Sequence, residues 1–488
     1  MSLLPLRTPS IAAAGTAPDR FTVTATVDQL LLAAGRFWAL AANRLFLSQA
    51  LAQRGLSDPQ TWGFALALIV LLTSLHYLLL APLANRWTVK PLLASLIVVT
   101  AFAVHFMQAF GAYLDPTMLR NALHTDVAEA RELFSWSLLP HLALYAALPL
   151  LVLSRVRVVQ RPWLRASALR VGAALLATSV FVGTLMAVFQ PMASLMRNHK
   201  ELRYLATPAN VLWSVAAVSA AQARGAAAPR QAIGLDAGLD PVAAARTRPL
   251  VVVMVVGETA RKANWGLSGY ARQTTPELAR LPAINFAGVT SCGTNTETSL
   301  PCMFAPVGRR DYDESRIRGS ESLLHVAAHA GVAVHWRDNQ SGCKGVCEGL
   351  PQDDVASLAL PGLCADGHCL DEGLLAGLDE RLAAAADAPH AGTQLLVLHT
   401  LGNHGPSYFR RYPDAFKRFQ PACESDDLRQ CSQQEIVNAY DNTVAYTDRF
   451  LDQTLNWLKT RAARGSDDTG LIYVSDHGES LGENGLYL

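Results

Sequence analysis

The sequence has no excess of charge of either sign. Lysine and arginine number 41 against 40 aspartate and glutamate residues, so the formal net charge is +1. No cluster of basic and aromatic residues stands out along the chain. Because nucleic-acid-binding domains present a strongly basic surface, this composition argues against a nucleic acid partner.

Cysteine is absent from the first 291 residues of the chain. All eight cysteines lie beyond residue 290 and fall into four close sequence pairs: Cys292 and Cys302, Cys343 and Cys347, Cys364 and Cys369, Cys423 and Cys431. An even number at short spacings is typical of disulfides in an oxidising compartment. The alternative is a zinc-binding thiolate cluster, but the spacings do not repeat a CxxC knuckle. The second half of the chain is therefore expected outside the cytoplasm.

Charge is scarce in five long apolar stretches, each a candidate membrane span of about 20 residues. They cover residues 27–48, 62–83, 91–113, 137–154 and 169–189. The loops after the second and fourth stretches are basic, whereas the loop after the third is rich in acidic residues. Basic loops stay in the cytoplasm, which places the N-terminus inside and, after five spans, the rest of the chain outside. The cysteine pairs lead to the same conclusion from different residues.

The first 26 residues show no cleavable signal peptide, so we expect the first span to act as an uncleaved anchor. Residues 190–217 are predicted to form a helical stretch along the outer membrane–water boundary. Residues 218–248 are rich in alanine, glycine, arginine and proline, which is typical of a linker. The expected organisation is a transmembrane domain over 1–217, a linker over 218–248 and a periplasmic domain over 249–488.

The soluble half shows the pattern of an α/β domain. A continuous β-branched run at Pro249–Thr259 predicts a buried parallel strand. Similar strand-like patterns recur at Val332–Asn339, Gln394–Asn403 and Leu471–His477, and helical patterns separate them. The natural fold is a mixed or parallel sheet with helices on both faces.

Three of these strands end in side chains that could bind a metal: Glu258, His404 and the pair Asp476-His477. Ligands of open α/β sheets bind beyond the carboxyl ends of the strands, and carboxylate with imidazole suits zinc. Taken singly, each residue has a structural explanation, since such a histidine is usually hydrogen-bonded and such an aspartate often caps a helix. Three endings of this kind in one domain favour a metal site.

A nucleophile is predicted in the segment Ser291–Phe304, which is dense in hydroxyls and bracketed by Cys292 and Cys302. A disulfide there would hold one hydroxyl at the start of a helix, where the backbone amides favour a phosphate. A metal would lower the pKa of that hydroxyl so that it attacks phosphorus. The alternative is a turn whose hydroxyls only cap the backbone.

Several motifs in one order resemble those of a known family. They are GET at Gly257–Thr259, SCGTNT at Ser291–Thr296, PCMF at Pro301–Phe304, NHGP at Asn403–Pro406, the terminal segment Ser475–Leu488, and RNHKELRYL at Arg197–Leu205. The whole chain is similar to the phosphoethanolamine transferases of the alkaline-phosphatase superfamily, which include lipid A and mobile colistin-resistance enzymes. The resemblance implies a five-helix transmembrane bundle and an α/β domain with the alkaline-phosphatase/sulfatase-like fold.

The resemblance also implies the roles of the site residues. Thr296 would be the nucleophile that carries the phosphoethanolamine. Glu258, Thr296, Asp476 and His477 would hold the catalytic zinc. His404 would lie near the transferring phosphate or support a second zinc.

Further positions match residues that bind the substrate in the family. Lys344 would bind the phosphate or the head group, and Asn121, Thr125 and Glu129 would face the donor. The spacing of the last three also fits one polar face of a surface helix. The resemblance supports the disulfides Cys292–Cys302 and Cys423–Cys431; the other two pairings, Cys343–Cys347 and Cys364–Cys369, rest on proximity in the sequence.

The implied activity is transfer of phosphoethanolamine from phosphatidylethanolamine to lipid A or a related lipopolysaccharide acceptor, with resistance to polymyxin. The protein would be a monomer of the inner membrane. A sulfatase is disfavoured, because Ser299-Leu300-Pro301-Cys302-Met303 has methionine where the formylglycine motif needs arginine. A phosphoglycerol transferase and a non-catalytic membrane scaffold remain as alternatives. Family members continue after GENGLYL with a zinc-site histidine, so we expect the chain, which stops at Leu488, to be a fragment that lacks it.

Overall fold

The computed structural model describes residues 23–488 except 53, 56, 126, 227–229, 366–367, 387–391, 484–485 and 488, and except the side chains of 127–129, 224–226 and 384–386. The chain forms two compact units. The first comprises residues 1–102, 140–202 and 206–208. The second comprises residues 103–139, 203–205 and 209–488, and thus includes the loop after the third predicted span.

The strands of the described residues are, in chain order, β1 (Val23–Ala25), β2 (Val156–Val158), β3 (Leu250–Gly257), β4 (Ala333–Asp338), β5 (Gln352–Asp354), β6 (Cys364–Ala365), β7 (His368–Cys369), β8 (Thr393–His399) and β9 (Asp468–Ser475). The four strands predicted from the sequence are confirmed as β3, β4, β8 and β9. Their ends differ by a few residues, since helix and strand ends are the least determined part of a sequence pattern.

The α-helices are, in chain order, α1 (Val27–Phe37), α2 (Arg44–Leu51), α3 (Pro59–Leu80), α4 (Val89–Phe110), α5 (Pro116–His124), α6 (Val127–Glu132), α7 (Leu138–Leu142), α8 (Leu148–Ser154), α9 (Trp163–Ala187), α10 (Phe189–Asn198), α11 (Ala209–Ala226), α12 (Pro241–Ala244), α13 (Thr296–Met303), α14 (Glu314–Gly319), α15 (Leu323–His329), α16 (Leu378–Ala386) and α17 (Gln433–Ala463). Wider π-helical turns join α1 to α2 and α7 to α8.

Among the described residues, three helices are long and apolar enough to cross a membrane: α3, α4 and α9. The first predicted span is a bent pair, Val27–Ala42 and Arg44–Leu51, which meet at 56° and would make a fourth crossing. The fourth predicted span is a shorter apolar helix, Leu138–Ser154. The chain thus has a membrane-spanning N-terminal region, and the count of five remains a prediction.

Polar contacts tie the helices of the first unit together. The Asp28 carboxylate of α1 accepts a hydrogen bond from Tyr77 of α3 (3.0 Å) and pairs with Arg170 of α9 (3.3 Å). The side chain of Asn43, at the bend between α1 and α2, binds the backbone of Thr207 as donor and acceptor (2.7 and 2.9 Å). These contacts satisfy groups that would otherwise be costly to place among apolar helices.

The second unit is built on a parallel five-stranded sheet with the order β5-β4-β8-β3-β9. Alternate residues of each central strand face opposite sides, as the two-residue period of a strand requires. Val251, Val253 and Val255 pack toward α16 and α17, whereas Val256 packs toward α13 and α15. The predicted α/β fold is therefore confirmed, with helices on both faces.

The strand register fixes the carboxyl edge of the sheet. Gly257, the last residue of β3, pairs with Ser475, the last residue of β9. The next residues, Glu258 and Asp476, therefore lie side by side just beyond the ends of neighbouring strands. On the other side of β3, Val256 pairs with His399, the last residue of β8.

The predicted disulfides are present in the second unit. Each joins the two cysteines of one close sequence pair: Cys292–Cys302, Cys343–Cys347, Cys364–Cys369 and Cys423–Cys431. The first encloses the start of α13, and the third joins the paired strands β6 and β7. None of the eight thiols is free.

Candidate active site

Three titratable side chains meet at the carboxyl edge of the sheet. Glu258, Asp476 and His477 are buried, and one ligand atom of each lies within 4.8 Å of the others. His477 Nε2 is 3.3 Å from Glu258 Oε1 and 3.5 Å from Asp476 Oδ2. The structure thus brings together three of the four residues predicted to bind a metal.

Thr296 completes this cluster. Its hydroxyl donates to Glu258 Oε2 (3.1 Å) and lies 3.5 Å from His477 Nε2. Thr296 is the first residue of α13, and the side chain of the preceding Asn295 caps that helix by accepting from Thr298 N (3.0 Å). A hydroxyl at the start of a helix lies near the positive end of the helix dipole, which favours an anion.

Backbone contacts hold the cluster in place. Asp476 N donates to Gly257 O (2.9 Å), and Thr259 N donates back to the Asp476 carboxylate (3.2 Å). Gly402 approaches Glu258 from the β8 side with a positive φ of 51°, and a Cβ there would lie 2.9 Å from Glu258 O. Only glycine allows this close approach without displacing Glu258.

The charges of the cluster are strongly coupled. Burial opposes ionisation of Glu258, but contacts with His477 override it and lower the pKa of Glu258 to about 2. Burial and the nearby charge of Glu258 raise the pKa of Asp476 to about 7. Burial also disfavours a charged His477, yet Asp476 and Glu258 override it and raise the pKa of His477 to about 10. The cluster therefore favours a positive charge at its centre.

This donor set fits a zinc ion. Two carboxylates, an imidazole and a hydroxyl supply four oxygen and nitrogen ligands, which is the number that zinc prefers. Asp476 Oδ2 is buried and, within the described part of the chain, has no hydrogen-bond partner. A buried carboxylate oxygen without a hydrogen bond is costly, so a cation at this point would satisfy it.

His404 lies near the cluster and lines a cleft. Other residues along this cleft are Gln340, Ser341, His368 and Arg411. The charge of His404 contributes to the lowered pKa of Glu258, after the larger effects of burial and His477. This position next to the metal-type cluster suits a group that contacts a phosphate.

Lys344 lies in the loop between β4 and β5, where it has a positive φ of 49°. Its ammonium donates to the hydroxyl of Ser341 (2.7 Å), which lines the same cleft as His404. This contact brings Lys344 toward the cleft, and within the described part of the chain no hydrogen bond joins it to Thr296. Its role in substrate binding stays a prediction.

The three residues predicted to face the donor lie in the loop 103–139 of the second unit. Asn121 is in α5, which packs against α13, and Thr125 ends α5 and donates to Asn121 O (2.9 Å). The side chain of Glu129 lies outside the described residues. The structure thus brings the helix that carries Asn121 to the helix that begins at Thr296.

Sequence reasoning missed a neighbour of the cluster, Gln340. Its side-chain amide donates to Glu258 Oε2, the oxygen that also accepts from Thr296. Gln340 follows the end of β4 by two residues, so the rule that found Glu258 and Asp476 could also have found it. A second missed group is the buried pair of Asp338 and His399 (2.7 Å), which lies at the ends of β4 and β8.

Comparisons with known proteins agree with this geometry. The model of the family described as "Sulfatase" matches residues 251–488, and that described as "Phosphoethanolamine transferase EptA/EptB" matches residues 72–223. Together with the parallel sheet and the metal-type cluster, these matches define a sulfatase-like domain attached to a membrane-spanning region.

Relatives identify the family within this class. Phosphatidylethanolamine transferase Mcr-2 of Escherichia coli is 36% identical over 464 residues, which cover 93% of this chain and 84% of that protein. Phosphoethanolamine transferase EptA of Salmonella typhimurium is 37% identical over 82% of this chain and 72% of that protein. The chain belongs to the phosphoethanolamine transferase family, which confirms the predicted resemblance.

A solved structure shows the same fold over both parts of the chain. The integral membrane lipooligosaccharide phosphoethanolamine transferase A of Neisseria meningitidis superposes with a TM-score of 0.88 at 35% identity. The match covers 95% of this chain and 85% of that one. The alkaline-phosphatase-like domain and the membrane region are therefore both shared with that protein.

Proposed function

We propose that this protein is a zinc-dependent enzyme that transfers phosphoethanolamine from phosphatidylethanolamine to lipid A or a related lipopolysaccharide acceptor. The observation that carries the proposal is the position of the Thr296 hydroxyl, which lies at the start of α13 and within 3.5 Å of both Glu258 and His477. The names of the relatives support the transferred group, since they are described as phosphoethanolamine transferases. Zinc is supported by the donor set at the cluster.

In the first half-reaction, Thr296 Oγ1 attacks the phosphorus of the donor. The new bond joins Thr296 to phosphorus, and the bond from phosphorus to the diacylglycerol oxygen breaks. The hydroxyl proton leaves along the hydrogen bond that Thr296 already donates to Glu258. The leaving diacylglycerol oxygen takes a proton from water, and the positive end of the α13 helix dipole would favour the phosphate charge.

In the second half-reaction, a phosphate or hydroxyl oxygen of the acceptor attacks the phosphothreonine and restores Thr296. Zinc held by Glu258, Thr296, Asp476 and His477 would supply Lewis-acid stabilisation of the phosphoryl oxygens and lower the pKa of the threonine hydroxyl. His404, which lines the cleft, would contact the transferring phosphate. Positioning and charge stabilisation, rather than further covalent chemistry, account for most of such a rate enhancement.

The same proposal places the site in the periplasm. Both substrates are lipids of the outer leaflet, so a membrane domain of five spans with an outward catalytic domain would bring the site to them. Asn121, Thr125 and Glu129 would face the donor, and Lys344 would bind its phosphate or head group. Adding phosphoethanolamine to a lipid A phosphate introduces an ammonium group that offsets the negative charge, which would confer resistance to polymyxin. We expect the enzyme to act as a monomer.

Intact-mass spectrometry after incubation with zinc and phosphatidylethanolamine tests the covalent step. We expect one phosphoethanolamine adduct on the wild-type protein and none on Thr296→Ala. Thr298→Ala is a matched control, because Thr298 is a second threonine in the first turn of the same helix. Zinc content is measured on each variant, so that loss of the metal is separated from loss of the nucleophile.

The outcome also separates the alternatives. An adduct with the mass of phosphoglycerol, obtained from phosphatidylglycerol and not from phosphatidylethanolamine, would move the assignment to phosphoglycerol transfer. A folded, zinc-loaded protein that forms neither adduct would support the non-catalytic scaffold and overturn the role of Thr296.

A further inference from the structure

Glu297 follows Thr296 in the first turn of α13, and its side chain is completely buried. Successive residues of a helix point about 100° apart, so Glu297 faces different neighbours from Thr296. A buried carboxylate needs partners for both oxygens, because an unpaired charge inside a protein is costly. The partners of Glu297 therefore indicate the role of this residue.

Each carboxylate oxygen of Glu297 binds a different helix. Arg318 of α14 donates from Nη2 to Glu297 Oε1 (2.7 Å) and also to Glu297 O (2.8 Å). His124, the last residue of α5, places its Nδ1 3.2 Å from Glu297 Oε2. The carboxylate thus joins the helix that begins at Thr296 to both α14 and α5.

A second ion pair closes this arrangement into a ring. Arg120, four residues before His124 in α5, pairs with Glu314 of α14. Glu314 also pairs with Arg318 Nε (3.2 Å), which leads back to Glu297. Residues four apart lie on the same face of a helix, so one face of α5 is held at two points.

The helix that is held in this way carries Asn121, and Thr125 is the C-cap residue that follows it. We propose that Glu297 is a positioning residue for donor binding: through His124 and Arg318 it fixes α5 relative to the helix that begins at Thr296. The inference rests on the proposed function, because it takes Asn121 and Thr125 as donor-facing. It adds that Glu297, the residue next to the proposed nucleophile, holds the donor-binding helix in place.

This role differs in its kinetics from that of an ordinary stabilising ion pair. A stabilising pair changes the amount of folded protein and leaves the KM of the folded fraction unchanged. A positioning residue changes the KM for the donor, because the donor then binds to a helix that is no longer held in place. The rate of the chemical step at saturating donor depends on Thr296 and its cluster and changes little.

The test uses the full chain in detergent micelles with increasing phosphatidylethanolamine, and follows the rate of adduct formation by intact mass. The variants are Glu297→Gln, His124→Gln and the double variant. Glu321→Gln is the matched control, because Glu321 forms a similar pair with His329 (2.8 Å) without contacting α5 or α13 through it. Melting temperature and zinc content are recorded for all proteins.

We expect Glu297→Gln and His124→Gln each to raise the KM for the donor about tenfold, with kcat within about twofold of wild type. The double variant should match Glu297→Gln, because both changes break the same link. Glu321→Gln should keep the wild-type KM. A fall in kcat at unchanged KM, or additive effects in the double variant, would overturn the proposal.

A second measurement does not depend on catalysis. Hydrogen exchange of the α5 backbone amides should be faster in Glu297→Gln and His124→Gln than in wild type and Glu321→Gln. Unchanged exchange in α5 would reject the link itself. A wild-type protein that forms no adduct would instead reject the proposed function, while the exchange result still decides whether Glu297 holds α5.

Discussion

Arg411 and Glu132 are both almost completely buried, with side chains 1% and 2% exposed, and they bind each other through two hydrogen bonds. Burial opposes ionisation of Glu132, but the charge of Arg411 overrides it and lowers the pKa of Glu132. Arg411 also donates from Nε to His404 O (2.9 Å). One guanidinium therefore joins the loop that carries α6 to the backbone of a predicted phosphate-contacting residue.

Removing Arg411 leaves the buried Glu132 carboxylate with His368 (3.3 Å) as its remaining ion-pair partner among the described residues. We expect Arg411→Met to lower the free energy of unfolding by about 3–5 kcal/mol and to slow adduct formation through displacement of His404. The neighbouring Arg410→Met is the control, since the Arg410 side chain is 42% exposed and its ion pair with Asp426 (3.3 Å) lies near the surface. Thermal melting of both variants checks this, and equal losses of stability would contradict it.

Asp353, at the edge of the sheet, makes the stability of the folded protein depend on pH. On β5 it binds Arg337 (2.8 Å) and His335 (2.9 Å) of the neighbouring β4. Burial opposes its ionisation, but the hydrogen bonds from His335 and Arg337 override it and hold the pKa of Asp353 below its ordinary value. The stabilisation is therefore complete above the unfolded pKa of about 4 and is lost as the pH falls toward the lower folded pKa.

We accordingly expect the melting temperature of the wild-type protein to fall steeply between about pH 4 and pH 2, and that of Asp353→Asn to fall less steeply. Asp414→Asn should follow the wild-type curve, since the Asp414 side chain is 99% exposed. Melting curves over this range measure the effect. Parallel curves for Asp353→Asn and wild type would show that Asp353 contributes no pH-dependent stability.

At the scale of elements, the disulfide Cys292–Cys302 closes the segment that contains Thr296 and the first turn of α13. We expect replacement of both cysteines by serine to slow adduct formation by at least tenfold, because the nucleophile is held less firmly. The matched control is the same change at Cys423 and Cys431, which close a loop of similar length before α17. Single-turnover rates of the two folded variants should therefore differ; similar rates would contradict a positioning role of the first disulfide.

The elements of the second unit were predictable because their signals are local. The run at Leu250–Gly257 is apolar throughout, and Glu258 directly follows it, so the strand and the position of its ligand could be read together. The contact of His124 with Glu297 could not, because the two residues are 173 positions apart. It depends on how residues 103–139 fold against the rest of the second unit, which no local sequence pattern records.

In the membrane part, the sequence predicts the long helices but not whether a shorter apolar helix crosses the membrane. Apolar runs predicted α3, α4 and α9 well, since a span of about 20 apolar residues leaves a strong signal. The run at 137–154 forms a helix of 17 residues, Leu138–Ser154. At 1.5 Å per residue it reaches about 25 Å, less than the hydrocarbon core of about 30 Å. Composition alone does not decide whether such a helix crosses.

For the whole molecule, the number of crossings decides on which side the catalytic domain lies. We expect a green fluorescent protein fused after Gln160 to fluoresce, because the loop after the fourth predicted span is predicted to be cytoplasmic, and a fusion after Leu488 to stay dark. Fusions to alkaline phosphatase should give the opposite pattern. Whole-cell fluorescence and phosphatase activity measure this, and fluorescence of both fusions would contradict five spans.

The four disulfides have a consequence for the order of assembly. Eight cysteines allow 105 pairings, yet here the partners are consecutive and only 4 to 10 residues apart. A chain that is exported from its N-terminal side presents both members of one pair before any member of the next. Oxidation that keeps pace with translocation therefore yields the native set directly, with little need for an isomerase to correct it.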